Sequence, residues 1–255
     1  MGTDRPNGSL YTKIENRIAT IEFGHPASNS FTSELLQRLT DEIHKLSENE
    51  AISILVLKSE GERAFCAGAS FDELVAISNL AEGKAFFSGF ANVINAMRTC
   101  SKPIIGRVQG KAVGGGVGLA AACDYVYATV DAAIKLSEIS IGIAPLVIAP
   151  AVERKIGKDG LAEMALHPTE WKNAYWTKEK GLFAKVYDSI SEMDKALEYH
   201  SSSLSSYNPE ALSVMKKALW ENTEHWSELL IHRAEQSGKL ALSKTTKSAL
   251  AKFKK

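Results

Sequence analysis

The chain has 255 residues, 45% of them hydrophobic, and its 30 basic residues balance its 30 acidic ones to a formal net charge of zero. This length suits one α/β domain with an added helical region, and the missing net charge provides no long-range field to attract nucleic acid or acidic lipid. The polar N-terminus has no signal-like apolar stretch, and no run reaches the ~18 apolar residues of a membrane span. We therefore expect a soluble cytoplasmic protein with no nucleic-acid or membrane partner.

The predicted elements alternate in the first half of the chain and are helical in the second. Strand-like runs occupy residues 11–15, 17–23, 52–58, 104–108, 125–128 and 133–136. Helix-like periodicity occupies residues 33–46, 85–97 and 115–122, then 148–156, 161–166, 194–204, 211–222 and 226–242. Thr32 or Ser33 is the predicted cap of the first helix. The alternation predicts a repeating strand–turn–helix core.

Two small-residue turns, residues 64–69 and 110–118, each follow a strand-like run and precede a helix-like one. Backbone N–H groups at a helix start are unpaired and partly positive. Two such turns brought together make an oxyanion hole, which stabilises the negative oxygen that develops on a thioester carbonyl. Close helix–sheet packing is the structural alternative for these glycines.

One carboxylate, Glu138, follows the second turn in a largely apolar stretch. A carboxylate in such surroundings is expected to be partly desolvated, which raises its proton affinity. It is the predicted proton carrier, and a surface glutamate at a strand end is the alternative.

The sequence lacks the motifs of other common site classes. The glycine run is followed by Leu119 where a dinucleotide-binding fingerprint needs a final glycine, and there is no GK[ST], HExxH or GxSxG. The cysteines Cys66, Cys100 and Cys123 show no CxxC spacing. They are predicted to be buried free thiols in a reducing compartment, and we expect no metal site.

The order and residues of the two turns resemble the crotonase superfamily, also called the enoyl-CoA hydratase/isomerase family. The resemblance implies an α/β crotonase fold in which repeated ββα units form a spiral core over residues 1–190. It implies that residues 191–255 form a C-terminal helical region that covers the active site and packs into homotrimers or dimers of trimers. The implied substrate is an acyl-CoA thioester, so that coenzyme A is part of the substrate and no separate cofactor is expected.

The same resemblance implies roles for individual residues. Ala69 and Gly115 stand at the positions whose N–H groups form the oxyanion hole, and Glu138 stands where the family places the acid that serves the α-carbon. Four residues are predicted to line the path of coenzyme A: Ala27, Ser28, Ala67 and Ser70. Ser70 occupies a position where the family often has aspartate.

The chain departs from the hydratase pattern at Gly118, where the family typically carries a second glutamate. Adding water to a double bond needs one group that deprotonates the water and one that delivers a proton. Three outcomes are compatible with the single acid: a hydratase in which Glu138 serves both steps or another group fills the gap, a double-bond isomerase, or a non-catalytic acyl-CoA-binding or protein-binding homologue. Residues 142–152 resemble the bacterial branch assigned as methylglutaconyl-CoA hydratase, the hydratase of leucine breakdown, which favours hydration by analogy.

Overall fold

The computed structural model describes residues 7–252, so the outermost parts of both predicted units, residues 1–6 and 253–255, lie outside it. The strands are β1 (Ser9–Glu15), β2 (Ile18–Gly24), β3 (Ile54–Ser59), β4 (Ala64–Cys66), β5 (Ile104–Val108), β6 (Lys111–Val113), β7 (Tyr125–Thr129), β8 (Ala133–Lys135), β9 (Lys172–Asn173) and β10 (Lys185–Tyr187). The helices are α1 (Ser33–Glu48), α2 (Phe71–Ala76), α3 (Leu80–Thr99), α4 (Gly115–Ala122), α5 (Ala149–Leu166), α6 (Ala174–Glu179), α7 (Ile190–Ser205), α8 (Pro209–Leu219), α9 (Trp226–Ala241) and α10 (Lys244–Ala251). A short 3₁₀ helix spans Glu138–Ile141.

Successive ββα units divide their strands between two sheets. The larger sheet has the order β1-β2-β3-β5-β7-β10 and the smaller one the order β4-β6-β8-β9. The pairs β4–β6 and β6–β8 are parallel. The carboxyl ends of these three neighbouring strands therefore lie at one edge of the small sheet, where α/β proteins commonly bind ligands. The predicted α/β fold with repeated ββα units and a helical C-terminal region is confirmed.

Several short elements of the fold were not predicted. Strands β4 and β6 have three residues each, too few to show a hydrophobic period, and both lie within the segments predicted as turns. Helix α2 has only six residues. The two helices predicted at residues 148–156 and 161–166 correspond to the two segments of α5, which are separated at Gly157, whose φ of +73° and ψ of 170° are not helical. Thr32 caps α1 as predicted, because its side chain accepts a hydrogen bond from the Leu35 N–H.

A cluster of phenylalanines connects the large sheet with the loops above it. Phe23 of β2 contacts Phe31 with ring centroids 4.7 Å apart and Phe65 at 5.5 Å. Phe31 in turn contacts Phe90 of α3, edge to face, at 6.2 Å. Phe23, Phe31 and Phe65 are fully buried. Burial of such large apolar rings stabilises the loop of Phe31 and the short strand β4, which contains Phe65.

The C-terminal helices are fixed to the core by polar contacts as well as apolar ones. The buried Asp124 carboxylate, next to β7, accepts hydrogen bonds from the Lys216 ammonium at 2.8 Å and from the Trp220 indole N–H at 2.6 Å. It also accepts one from the Ile104 N–H at 2.7 Å. Each of these donors is thereby satisfied, so α8 is joined to β5 without leaving an unpaired buried charge.

Among the described residues, the helices lack the combination of length and apolarity that crossing a bilayer requires. The three cysteines are buried and free, as predicted. Burial raises the pKa of the Cys66 and Cys123 thiols to about 12, which keeps both protonated and unreactive.

Candidate active site

The site lies where β4, β6 and β8 end. The first turn follows β4, the second follows β6, and the segment that carries Glu138 follows β8. A cavity of about 510 Å³ opens at this edge, and both turns and Glu138 line it. The three features that the sequence analysis singled out are therefore brought together by three adjacent strands.

Backbone hydrogen bonds to the neighbouring loop at Phe31 fix the conformation of the first turn. Gly68, with φ of +93°, accepts a hydrogen bond from the Phe31 N–H at 2.8 Å, and the Ser70 N–H donates to the Phe31 carbonyl at 2.7 Å. The intervening Ala69 N–H donates to no other backbone group in the described part of the chain. This N–H is thus available to an oxyanion.

The second turn leads directly into α4, and Gly115 is the first residue of that helix. Its N–H has no partner within the helix because the first four N–H groups of an α-helix have no preceding helical carbonyl to accept them. A methyl group built on Gly68 would lie 3.6 Å from this nitrogen, so the two turns are in contact. The Phe90 ring covers Gly115 so closely that an added methyl would lie 2.5 Å from its Cζ. A larger residue at position 115 would therefore require the Phe90 ring to move.

Glu138 opens the 3₁₀ helix after β8, and its carboxylate lies against the second turn. A methyl group built on Gly114 would be 2.6 Å from Glu138 Oε1, so the absence of a side chain at Gly114 makes room for the carboxylate. Glu138 Oε2 is buried and has no hydrogen-bond partner among the described residues. Burial raises the pKa of the Glu138 carboxyl to about 7. A carboxyl with a pKa near neutrality both takes up and releases protons readily, which suits a proton carrier.

The C-terminal helices hold the Glu138 segment in place. Gly142, with φ of +85°, ends the 3₁₀ helix, and its carbonyl accepts a hydrogen bond from Thr246 Oγ1 of α10 at 2.7 Å. Arg233 of α9 donates to the Leu146 carbonyl at 3.2 Å. Residues from the predicted helical cover therefore fix the loop that carries the acid. Neither Thr246 nor Arg233 was singled out from the sequence, because nothing local marks a residue whose contact lies about a hundred positions away.

The region beside Gly118 is occupied by an apolar side chain. A methyl group built on Gly118 would lie 2.7 Å from Ile148 Cβ, and closer still to Ile148 Cγ2. No side chain fits at Gly118 unless Ile148, at the start of α5, moves. Among the described residues that line the cavity, Glu138 is the only carboxylate and Lys135 the only cation. The absence of a glutamate at position 118 was expected from the resemblance, but nothing in the sequence marked Ile148 as the residue beside it.

The residues predicted to line the path of coenzyme A have different surroundings. Ala27 and Ser28 are exposed, and the Ser28 carbonyl accepts a hydrogen bond from the Ala67 N–H at 3.0 Å, so this loop lies beside the first turn. Ala67 lines the cavity. Ser70 does not line it: its side chain caps α2 by accepting a hydrogen bond from the Glu73 N–H at 3.3 Å. The structure thus brings three of the four residues together and gives Ser70 a structural role.

No group of His, Cys, Asp and Glu side chains within residues 7–252 is arranged to hold a metal ion. The polar groups of the cavity are those of the turns, Glu138, Lys135 and a few hydroxyls, and much of its wall is apolar. Such an arrangement offers two N–H donors for a carbonyl oxygen, one carboxylate beside them and an apolar space for an organic chain.

Comparison with known proteins identifies relatives over most of the chain. The model of the enoyl-CoA hydratase/isomerase family matches residues 13–253. The 2,3-dehydroadipyl-CoA hydratase of Escherichia coli is 29% identical, with 84% of this chain and 83% of that protein covered. The peroxisomal Delta(3,5)-Delta(2,4)-dienoyl-CoA isomerase of Arabidopsis thaliana is 25% identical, with 77% and 74% covered. The crystal structure of an enoyl-CoA hydratase from Bacillus halodurans superposes with a TM-score of 0.89 at 20% identity, covering 95% of this chain and 99% of that one.

Proposed function

The chain belongs to the enoyl-CoA hydratase/isomerase family, and we propose that it moves a carbon–carbon double bond in an enoyl-CoA from the 3 to the 2 position. Ala69 and Gly115 donate hydrogen bonds to the thioester oxygen. The Glu138 carboxylate removes a proton from C2, the resulting dienolate is stabilised by the two N–H groups, and the same carboxyl returns the proton at C4. Proton and electron pair balance without water.

The packing of Ile148 against Gly118 carries this proposal. Hydration needs a group that holds and deprotonates water at the β-carbon, and the usual place for that group is filled by an isoleucine. Isomerisation needs one carboxylate, and Glu138 supplies it. The raised pKa of Glu138 suits a group that accepts a proton and returns it in one catalytic cycle.

Hydration of a branched or dicarboxylic enoyl-CoA such as methylglutaconyl-CoA is the second candidate. Lys135 favours it, because it lines the cavity and offers a cation to a distal carboxylate. The Lys135 ammonium lies 4.4 Å from the centroid of the Trp171 ring, which orients it without neutralising its charge. In this reaction Glu138 would serve both proton transfers through one bound water.

The ultraviolet absorbance of the conjugated enoyl thioester distinguishes the two reactions. Isomerisation of a 3-enoyl-CoA raises this absorbance, whereas hydration of crotonyl-CoA or methylglutaconyl-CoA lowers it. We expect a rise with 3-enoyl-CoA that Glu138→Gln abolishes. A fall with methylglutaconyl-CoA that Lys135→Gln abolishes would establish the second candidate. No change with any of the three would leave a non-catalytic acyl-CoA-binding role.

The homotrimer or dimer of trimers implied by the resemblance is part of the proposal. Exposed apolar side chains on and near α8 support it, among them Tyr207, Val214 and Met215, which are 54–60% exposed. Aromatic residues and methionine are enriched at protein–protein interfaces. Light scattering after size exclusion would test it, with a monomer as the contradicting result. The buried free thiols support the expected reducing, cytoplasmic location.

A further inference from the structure

The cavity contains a second buried polar group without a partner, far from Glu138 in the sequence. Ser237 lies on α9, is 1% exposed and lines the cavity, and its Oγ makes no hydrogen bond within the described residues. A buried serine in a helix commonly donates to the carbonyl four residues earlier. Leaving a buried hydroxyl unpaired destabilises the free protein, so a ligand that supplies a partner gains affinity.

Helix α3 gives an approximate distance between Ser237 and the oxyanion hole. Near the oxyanion hole, the Phe90 ring of α3 covers Gly115. Elsewhere along its length, α3 crosses α9 where Gly83 meets Gly238, the neighbour of Ser237: a methyl group on Gly238 would lie 2.8 Å from the Gly83 carbonyl carbon. Gly83 and Phe90 are seven positions apart on α3, which corresponds to about 10 Å along the helix axis.

This distance corresponds to an acyl chain of medium length. An extended chain advances about 3.5 Å for every three bonds, so about 10 Å corresponds to roughly eight or nine bonds. The wall beside α3 is apolar, formed by Leu74, Phe86 and Phe87. The Ser237 hydroxyl therefore lies next to an apolar wall, about 10 Å along α3 from the residue that covers the oxyanion hole.

We propose that Ser237 determines substrate specificity by forming a hydrogen bond with an oxygen-bearing group, such as a hydroxyl, near the far end of a medium-length acyl chain. The inference rests on the proposed function in that the site binds an acyl-CoA. A serine hydroxyl both donates and accepts, so it pairs with either role of a substrate hydroxyl. Sites built to bind a substrate hydroxyl reject the analogue that lacks it, because the site's own polar group is then left unpaired.

Two other serines provide the matched control. Ser53 Oγ and Ser201 Oγ are also buried without partners, yet neither residue lines the cavity. Ser201→Ala removes the same chemical group from a helix, α7, outside the site. Alanine is the strongest helix former, so both serine-to-alanine variants are expected to fold.

Calorimetric titration with saturated acyl-CoA pairs tests the inference without turnover. The probes are hexanoyl-CoA, octanoyl-CoA and decanoyl-CoA, each beside its omega-hydroxy counterpart. For at least one chain length we expect the hydroxylated ligand to bind about ten- to hundredfold more tightly than its plain partner. In Ser237→Ala this preference should disappear or reverse, since the ligand hydroxyl would enter an apolar pocket unpaired. Ser201→Ala should keep it.

Equal binding of both members of every pair by the unaltered protein would overturn the inference, as would a preference that survives Ser237→Ala. The binding result does not depend on the proposed isomerisation, because saturated thioesters have no double bond to isomerise. If the protein proves not to be an isomerase, the titrations still test the inference. If none of the six thioesters binds, both the inference and the proposed function are contradicted.

Discussion

The two ends of the cavity are built in different ways. The end at Glu138 is formed by main-chain turns after β4 and β6, where glycines allow the backbone and the carboxylate to approach each other. The end at Ser237 is formed by side chains of α3 and α9, two helices separated by more than a hundred residues. Backbone donors at the first end suit any thioester, whereas side chains at the second end select the acyl group. Chemistry and selectivity should therefore respond separately to substitution.

Glu138→Gln is expected to have the largest effect, and it should be confined to the catalytic end. The amide keeps the shape of the carboxylate but cannot accept the proton, so kcat should fall by about 10²–10⁴-fold while acyl-CoA affinity changes little. Stopped-flow kinetics and calorimetry on the same preparation measure the two quantities. A variant that retains kcat would show that Glu138 is not the proton carrier.

Gly114→Ala should be the next most damaging change. Gly114 has φ of +51°, which an alanine adopts only with strain, and the new methyl would lie 2.6 Å from Glu138 Oε1. Displacing the carboxylate by about 1 Å is expected to lower kcat on the order of 10²-fold. Acyl-chain preference should remain that of the unaltered protein, and a changed preference would contradict the separation of the two ends.

The pH dependence of kcat/KM should follow the titration of Glu138. With a pKa of about 7, the carboxyl is increasingly protonated below neutrality, so kcat/KM is expected to fall about tenfold for each further pH unit. The free energy of unfolding should change with pH in the opposite direction. The folded pKa lies above the ordinary value of 4.5, so the folded state holds the proton more tightly and stability is lost as pH rises from about 4.5 through 7. Denaturant titrations across this range should show a loss that is absent in Glu138→Gln.

Gly238→Ala should produce the smallest change and act mainly on the distal end of the cavity. The added methyl would lie 2.8 Å from backbone atoms of Gly83 and Lys84, so α9 must move away from α3 at a cost of about 1–3 kcal/mol in the free energy of unfolding. We expect KM to rise several-fold for octanoyl-length substrates, with little change for short ones. Gly89→Ala, on the α3 face toward Leu36, is the control. If it shifts chain-length preference equally, the effect is general destabilisation.

Part of this protein was determined by local sequence alone. The alternation of strand-like and helix-like runs predicted the α/β core, because hydrophobic periodicity reflects which face of an element is buried. The small-residue turns and Glu138 were recognisable because their chemistry requires those residue types in that order. The missing glutamate at Gly118 was visible only through the resemblance to hydratases of the family.

Other features were decided only by tertiary structure. The three-residue strands β4 and β6 exist because they pair with each other and with β8, and such pairing leaves no local period. Ile148 fills the space beside Gly118 because α5 packs on α4, and Ser237 reaches the cavity because two glycines let α9 approach α3. Each of these contacts joins residues that are distant along the chain. A sequence specifies them through the packing of the whole core, so they become visible only when the chain is folded.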